Sequence, residues 1–112
     1  MACTGQLKEK GVSEPVTAIS IDGTSGTVVP LDAAYVPLMR ALMYDEARAG
    51  AQAKQVSAMG KAHEKRMGLK FSASFALSSV KWVQEEEPGI YEKTAVFAHQ
   101  ADYIVGRLCG EY

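Results

Sequence analysis

The residues able to do chemistry gather in a few short stretches, and the densest is DGTSGT at residues 22–27. Two glycines there leave backbone amides open beside the hydroxyls of Thr24, Ser25 and Thr27. Such a loop can hold an anion, or it can bond a polyol, because a hydroxyl both donates and accepts. It is not a nucleotide loop: the Lys and the spacing of GxxxxGK[ST] are missing, and so is GxGxxG. The plain alternative is a tight turn, in which Gly takes positive φ and Asp or Ser bonds the local backbone.

Three other stretches carry candidate groups. HEKRM at residues 63–67 approaches the HExxH zinc motif, but Met67 stands where the second ligand belongs. His99 has no nucleophile beside it in the sequence, so both histidines read as structural. YDEAR supplies Asp45, Glu46 and Arg48 after an apolar run. Either the acids sit at the positive end of a helix dipole, or a carboxylate and a guanidinium stand at a strand-to-helix junction, where ligands bind in α/β folds. The EEE run at Glu85–Glu87 lies at the wrong helix end for the dipole and reads as solvated surface. Phe75 and Trp82 read as packing residues. Cys3 and Cys109 have no CxxC or Cys/His spacing, so no metal site is expected.

The elements that must position these groups follow from apolar period and punctuation. Residues 16–21 (VTAISI) and 27–31 (TVVPL) are strand candidates, and the loop between them makes a β-hairpin the expected unit. Pro30 places the end of the second strand there or puts that strand at an edge. Residues 32–37 (DAAYVP) read as a turn, and 38–44 (LMRALMY) as an apolar run of either type. From Asp45 to Met67 the apolar residues recur at helical spacing, with Gly50 and Gly60 weakening the interior and Gly68 as a stop, which gives one or two helices. A further helix fits residues 74–86, with Ser74 as N-cap and Pro88 as terminator. Residues 90–95 fit a short helix, 96–97 a connector, and 101–108 a last helix closed by Gly110.

The bulk composition sets outer limits. The chain has 112 residues, 47% of them hydrophobic, which suffices for one small cored domain. A net charge of -1, with 12 basic and 13 acidic residues interspersed, gives no footprint for nucleic acid or an anionic membrane. No run approaches the roughly 20 apolar residues of a membrane span, and the first residues lack a signal-peptide core. A cytoplasmic location and reduced cysteines are expected.

Taken in order, the blocks AISIDGTSGTVVPLD, PLMRALMYDEARA, GLKFSASFALSSVKWVQEEEPGIYEKTAVF and HQADYIVGRLCG resemble the FGGY family of carbohydrate kinases, with wording closest to the ribulose and xylulose kinase-like branch. The resemblance implies an α/β fold, a fragment of the actin-like, ribonuclease-H-like first domain, in which the β-hairpin precedes several helices. Residues 1–112 would then be a single partial domain. Family members transfer the γ-phosphoryl group of ATP, with Mg, to a sugar or polyol hydroxyl between two domains. By the same resemblance the substrate-binding residues are Thr24, Ser25, Gly26, Tyr44, Asp45 and Glu46. Tyr44 stands where many relatives carry a Trp, Glu46 replaces a more usual Asp, and Ser74 falls where glycerol-type members have a substrate-facing Tyr.

The family's Asp-x-Gly-Thr strand, its catalytic Asp and its ATP-binding domain have no counterpart in these blocks. The expectation is therefore part of a sugar pocket, no catalytic residue, no ATP or Mg bound by this chain alone, and no kinase activity in isolation. Expected partners are a pentulose such as ribulose or xylulose, or another polyol, and the rest of the kinase chain, with self-association at uncovered sheet edges. The alternative is a non-catalytic interaction module or truncated pseudo-enzyme.

Overall fold

A computed structural model describes residues 9–11, 15 and 17–110; Cys3 and Val16 lie outside them. Strand β1 (Val28–Leu31) is followed by helices α1 (Gly50–Met59), α2 (Lys61–Met67), α3 (Ala76–Glu86) and α4 (Pro88–Tyr91), then by strand β2 (Val96–His99) and helix α5 (Gln100–Cys109).

The expected β-hairpin between residues 16–21 and 27–31 does not form. Among the described residues, 17–21 carry no strand, and Ile19 is 72% exposed. β1 instead pairs antiparallel with β2, Val28 opposite His99 and Leu31 opposite Val96. The stretch read as a connector is thus the strand's partner. The physical reason is that β-branched composition marks a segment able to pair, while the partner is chosen by burial on the sheet face. Val29, Leu31 and Ala98 form a buried cluster across the β1–β2 pair, with Ala41, Val96 and Tyr103 packed on it.

The other edge of β1 is closed locally. The chain turns at residues 32–37 as expected, and comes back so that Leu31 bridges Pro37 and Val28 bridges Leu42. Asp32 Oδ1 accepts from the amides of Ala34 and Val36, and Tyr35 takes φ 59° between them. On this side Val28 N–H donates to Leu42 O and Asp32 N–H donates to Val36 O. Pro30 lies between those donors without an N–H of its own. The ladder therefore breaks into two bridges, while the strand runs on through a fully buried Pro30.

The helices follow their punctuation with two shifts. α1 and α2 break at Gly60, whose hydrogen faces the Phe71 ring so closely that a Cβ would stand 2.6 Å from it. Gly68 and Gly110 close α2 and α5 in the left-handed conformation, φ 69° and 79°. α3 starts at Ala76 after Phe75, so Ser74 is not its cap, and Ser78 Oγ donates to Ser72 O at 2.8 Å to hold the approach. The acids of YDEAR sit in a turn before α1 rather than in its first turn. α1 packs on α3, with Ala53 and Val56 buried on the first helix and Val83 on the second, and the buried Gln52 Nε2 donates to Glu85 Oε2 at 2.9 Å.

Glu64 ties α1, α2 and the next loop together. Its Oε1 accepts from Ser57 Oγ at 2.7 Å and from the Phe71 amide at 2.8 Å. The Ser57 bond and then the Phe71 bond hold the carboxyl below its usual range. A carboxyl depressed in the folded state stabilises the fold above its unfolded pKa, and that contribution is lost as pH falls through the folded pKa. Thermal melts between pH 7 and 3 are expected to show a steeper fall in Tm for the native chain than for Glu64→Gln, which keeps an acceptor but cannot titrate.

Candidate functional site

Four separate stretches of the chain meet at one cavity of about 340 Å³, a size within the range of small-molecule sites. Ser25 and Gly26 come from the loop before β1, and Tyr44 from the turn after the Leu42 bridge. Ser74, Phe75 and Ala76 come from the start of α3, and His99 from the junction of β2 and α5. The lining mixes hydroxyls, an imidazole and aromatic surface, which suits a small polyhydroxylated ligand.

The loop is held from below. Gly26 has φ 89°, and a Cβ there would lie 2.2 Å from Ser74 O. Only glycine allows the loop to meet the α3 approach this closely, so the same residue shapes the turn and two walls of the cavity. Gly23 rests on the start of α5, where a Cβ would be 3.1 Å from Ala101 N. Thr24 Oγ1 lies 3.1 Å from Gln100 Oε1 and 2.7 Å from Thr27 Oγ1. Gln100 Oε1 can only accept, so the Thr24 proton goes to it and Thr27 is the donor in the second bond.

Of the six residues expected to contact substrate, the structure brings Ser25, Gly26 and Tyr44 together in the cavity. Thr24 lies outside the lining and anchors the loop through Gln100 and Thr27. Asp45 and Glu46 stay outside the lining. Glu46 Oε1 takes an ion pair from Arg48 Nη2, and Arg48 stacks its guanidinium over the Trp82 ring at 5.0 Å. Its other oxygen, Oε2, is buried without a donor among the described residues.

Sequence reasoning set His99 aside as structural, and it does serve the fold. Its side chain faces the Asp102 amide while Asp102 Oδ2 accepts from the His99 amide at 3.3 Å, a capping box that starts α5. The signal was available as an H-x-x-D spacing ahead of a helical run, a variant of the usual S/T-x-x-E box. Its place on the cavity wall was not, because it depends on the β1–β2 register.

A second cavity, about 470 Å³, is bounded by Thr17, Ile19 and Ile21 on one side and Val105, Leu108 and Cys109 of α5 on the other. Its apolar walls offer a sugar little to bond. For the Mg that the resemblance implies for the whole enzyme, the described residues do not fit: no group of three or more His, Cys, Asp or Glu among them could hold a metal ion. No phosphoryl-transfer step is therefore assigned to these side chains. No helix among the described residues is long and apolar enough to cross a membrane.

Comparison with known proteins bears on the family and the fold. The N-terminal domain of the FGGY family of carbohydrate kinases matches residues 1–112. A xylulose kinase of Streptomyces coelicolor is 33% identical over 97 residues, covering 84% of this chain and 20% of that protein. A ribulokinase of Halalkalibacterium halodurans is 26% identical over 121 residues, covering 94% and 22%. Among solved structures, a kinase from Brucella ovis described as a xyloylose kinase superposes with TM-score 0.81 at 19% identity, over 94% of this chain and 22% of that one. The xylulose kinase from Bifidobacterium adolescentis gives 0.77 at 22% identity, over 93% and 24%. The chain spans about a fifth of the length of these relatives. With the family's pattern matched along its whole length and the fold shared with sugar kinases, the chain belongs to the FGGY family of carbohydrate kinases, as a fragment of its N-terminal domain.

Proposed function

We propose that this chain forms part of the sugar-binding wall of an ATP-dependent kinase that phosphorylates a pentulose, ribulose or xylulose being the best candidates. The observation that carries the reading is the single cavity shared by Ser25, Gly26 and Tyr44. These residues come from two of the sequence blocks that resemble the family, and Ser74 adds a hydroxyl from a third. Ser25 and Ser74 supply groups that both donate and accept, and Tyr44 and Phe75 supply flat surface for the carbon face of a sugar. The nucleotide, the metal and the base belong to the remainder of the kinase, which is the proposed protein partner. The exposed Ile19, Val105 and Leu108 provide the apolar surface for that contact.

The test has two arms. Titrating xylulose and ribulose into the 15N-labelled chain is expected to shift the amides of Ser25, Gly26 and Tyr44 saturably, with Kd roughly millimolar, about 4 kcal/mol of binding. In a coupled ATP-consumption assay the same chain is expected to give no turnover above a protein-free control. Pentulose titration without saturable shifts up to tens of millimolar would sink the pocket reading, and turnover would sink the division of labour.

A further inference from the structure

We infer that His99 is a ligand-binding residue of this cavity, donating a hydrogen bond from its free ring N–H to an acceptor oxygen of the sugar. The inference rests on the sugar-pocket reading and adds to it a residue whose bonding capacity is fixed by the fold. The imidazole has two nitrogens, and in the neutral ring one donates while the other accepts. In the capping box one ring nitrogen faces the Asp102 amide as an acceptor. In the neutral ring the other nitrogen is then the donor. His99 also lines the cavity that Ser25, Tyr44 and Ser74 line.

Its placement is set from three directions. β2 fixes the His99 backbone opposite Val28. The Asp102 carboxylate holds the His99 amide. The loop carrying Ser25 is bound to the neighbouring residue by the Thr24–Gln100 contacts of 3.1 and 3.4 Å. Loop and imidazole therefore keep a fixed separation across the cavity. The hydroxyls around it can adapt as donors or acceptors, whereas the capped imidazole offers the cavity a donor. It therefore selects a ligand that puts a carbonyl or hydroxyl oxygen at that wall, and rejects one that puts only C–H there.

Two variants separate the cap from the contact. His99→Ser keeps an N-cap oxygen for the Asp102 amide and removes the ring donor. Asp102→Ala weakens the helix start and keeps the ring and its amide partner. Binding of xylulose and ribulose is read from amide shifts, folding from Tm, and the ring from long-range 1H–15N spectra of His99 in the native chain. The expected result is a roughly tenfold loss of pentulose affinity in His99→Ser at nearly unchanged Tm, and a smaller loss with a lowered Tm in Asp102→Ala, which loosens the placement of the ring but keeps its donor. In the native chain the spectra should show one unprotonated ring nitrogen before sugar is added and a shift of the protonated one on titration. Native-like affinity in His99→Ser, or ring resonances that ignore a sugar the amides respond to, would overturn the role of His99 alone. A native chain that binds no pentulose would overturn the pocket reading beneath it.

Discussion

Gly26→Ala is expected to destabilise the fold by roughly 3 kcal/mol and to abolish pentulose binding together with it. Two independent costs meet at this residue. The backbone at φ 89° is one that a Cβ strains, and the Cβ itself would fall 2.2 Å from the Ser74 carbonyl oxygen, a backbone atom that cannot rotate away. Relief requires the 23–26 loop and the start of α3 to part, and those are the walls that bring Ser25 and Ser74 to one cavity. For a domain of this size the loss corresponds to a fall in Tm on the order of 10 °C, read by circular dichroism. Gly89→Ala is the matching control, because a Cβ there meets nothing within 4 Å. An unchanged melt for Gly26→Ala would mean that the loop does not lie against α3 in solution.

Leu31→Ala is the second large effect, expected to cost about 2–5 kcal/mol through lost burial and the cavity left behind. Leu31 is fully buried, and it sits where β1 meets both of its neighbours, bridging Pro37 on one edge and pairing with Val96 on the other. The void would open beneath the sheet, away from the cavity lined by Ser25 and His99, so pentulose affinity measured well below the new Tm should stay within about twofold of native. Denaturant melts give the stability and amide titrations the affinity. A variant that melts like the native chain would show the β1–β2 face to be less packed than it is drawn.

How far the sequence carried these conclusions differs by element. Gly68, Gly110 and the 32–37 turn were legible because each is decided within a few residues by a positive φ or a side chain bonding its own backbone. α3 was legible in its body and misjudged at its start, because Ser74 looks like a cap until its hydroxyl is found with Ser72 and Phe75 takes the cap position. The partner of β1 was not legible at all: residues 96–99 are short, and nothing within them says that Val28 lies opposite His99. The site divides the same way. Ser25, Gly26 and Tyr44 could be proposed from the blocks that resemble sugar kinases, whereas His99 enters the cavity only through strand register. The bond from Thr24 to Gln100 was equally hidden, because it too joins residues far apart in sequence.

The two edges of β1 differ in when they can form. The edge against residues 37–42 closes over a short turn, whereas the edge against β2 requires the chain from Leu31 to Val96 to be looped out. Closing the longer loop costs about 2 kcal/mol more in chain entropy. Slow folding steps belong to contacts between distant parts of the sequence, so the local return is available to form first and present β1 as a template. The cavity is built across both edges, with Tyr44 just beyond the near one and His99 on the far one, and is complete only when the slower pairing has occurred. A complete cavity thus reports the last part of the sheet to assemble.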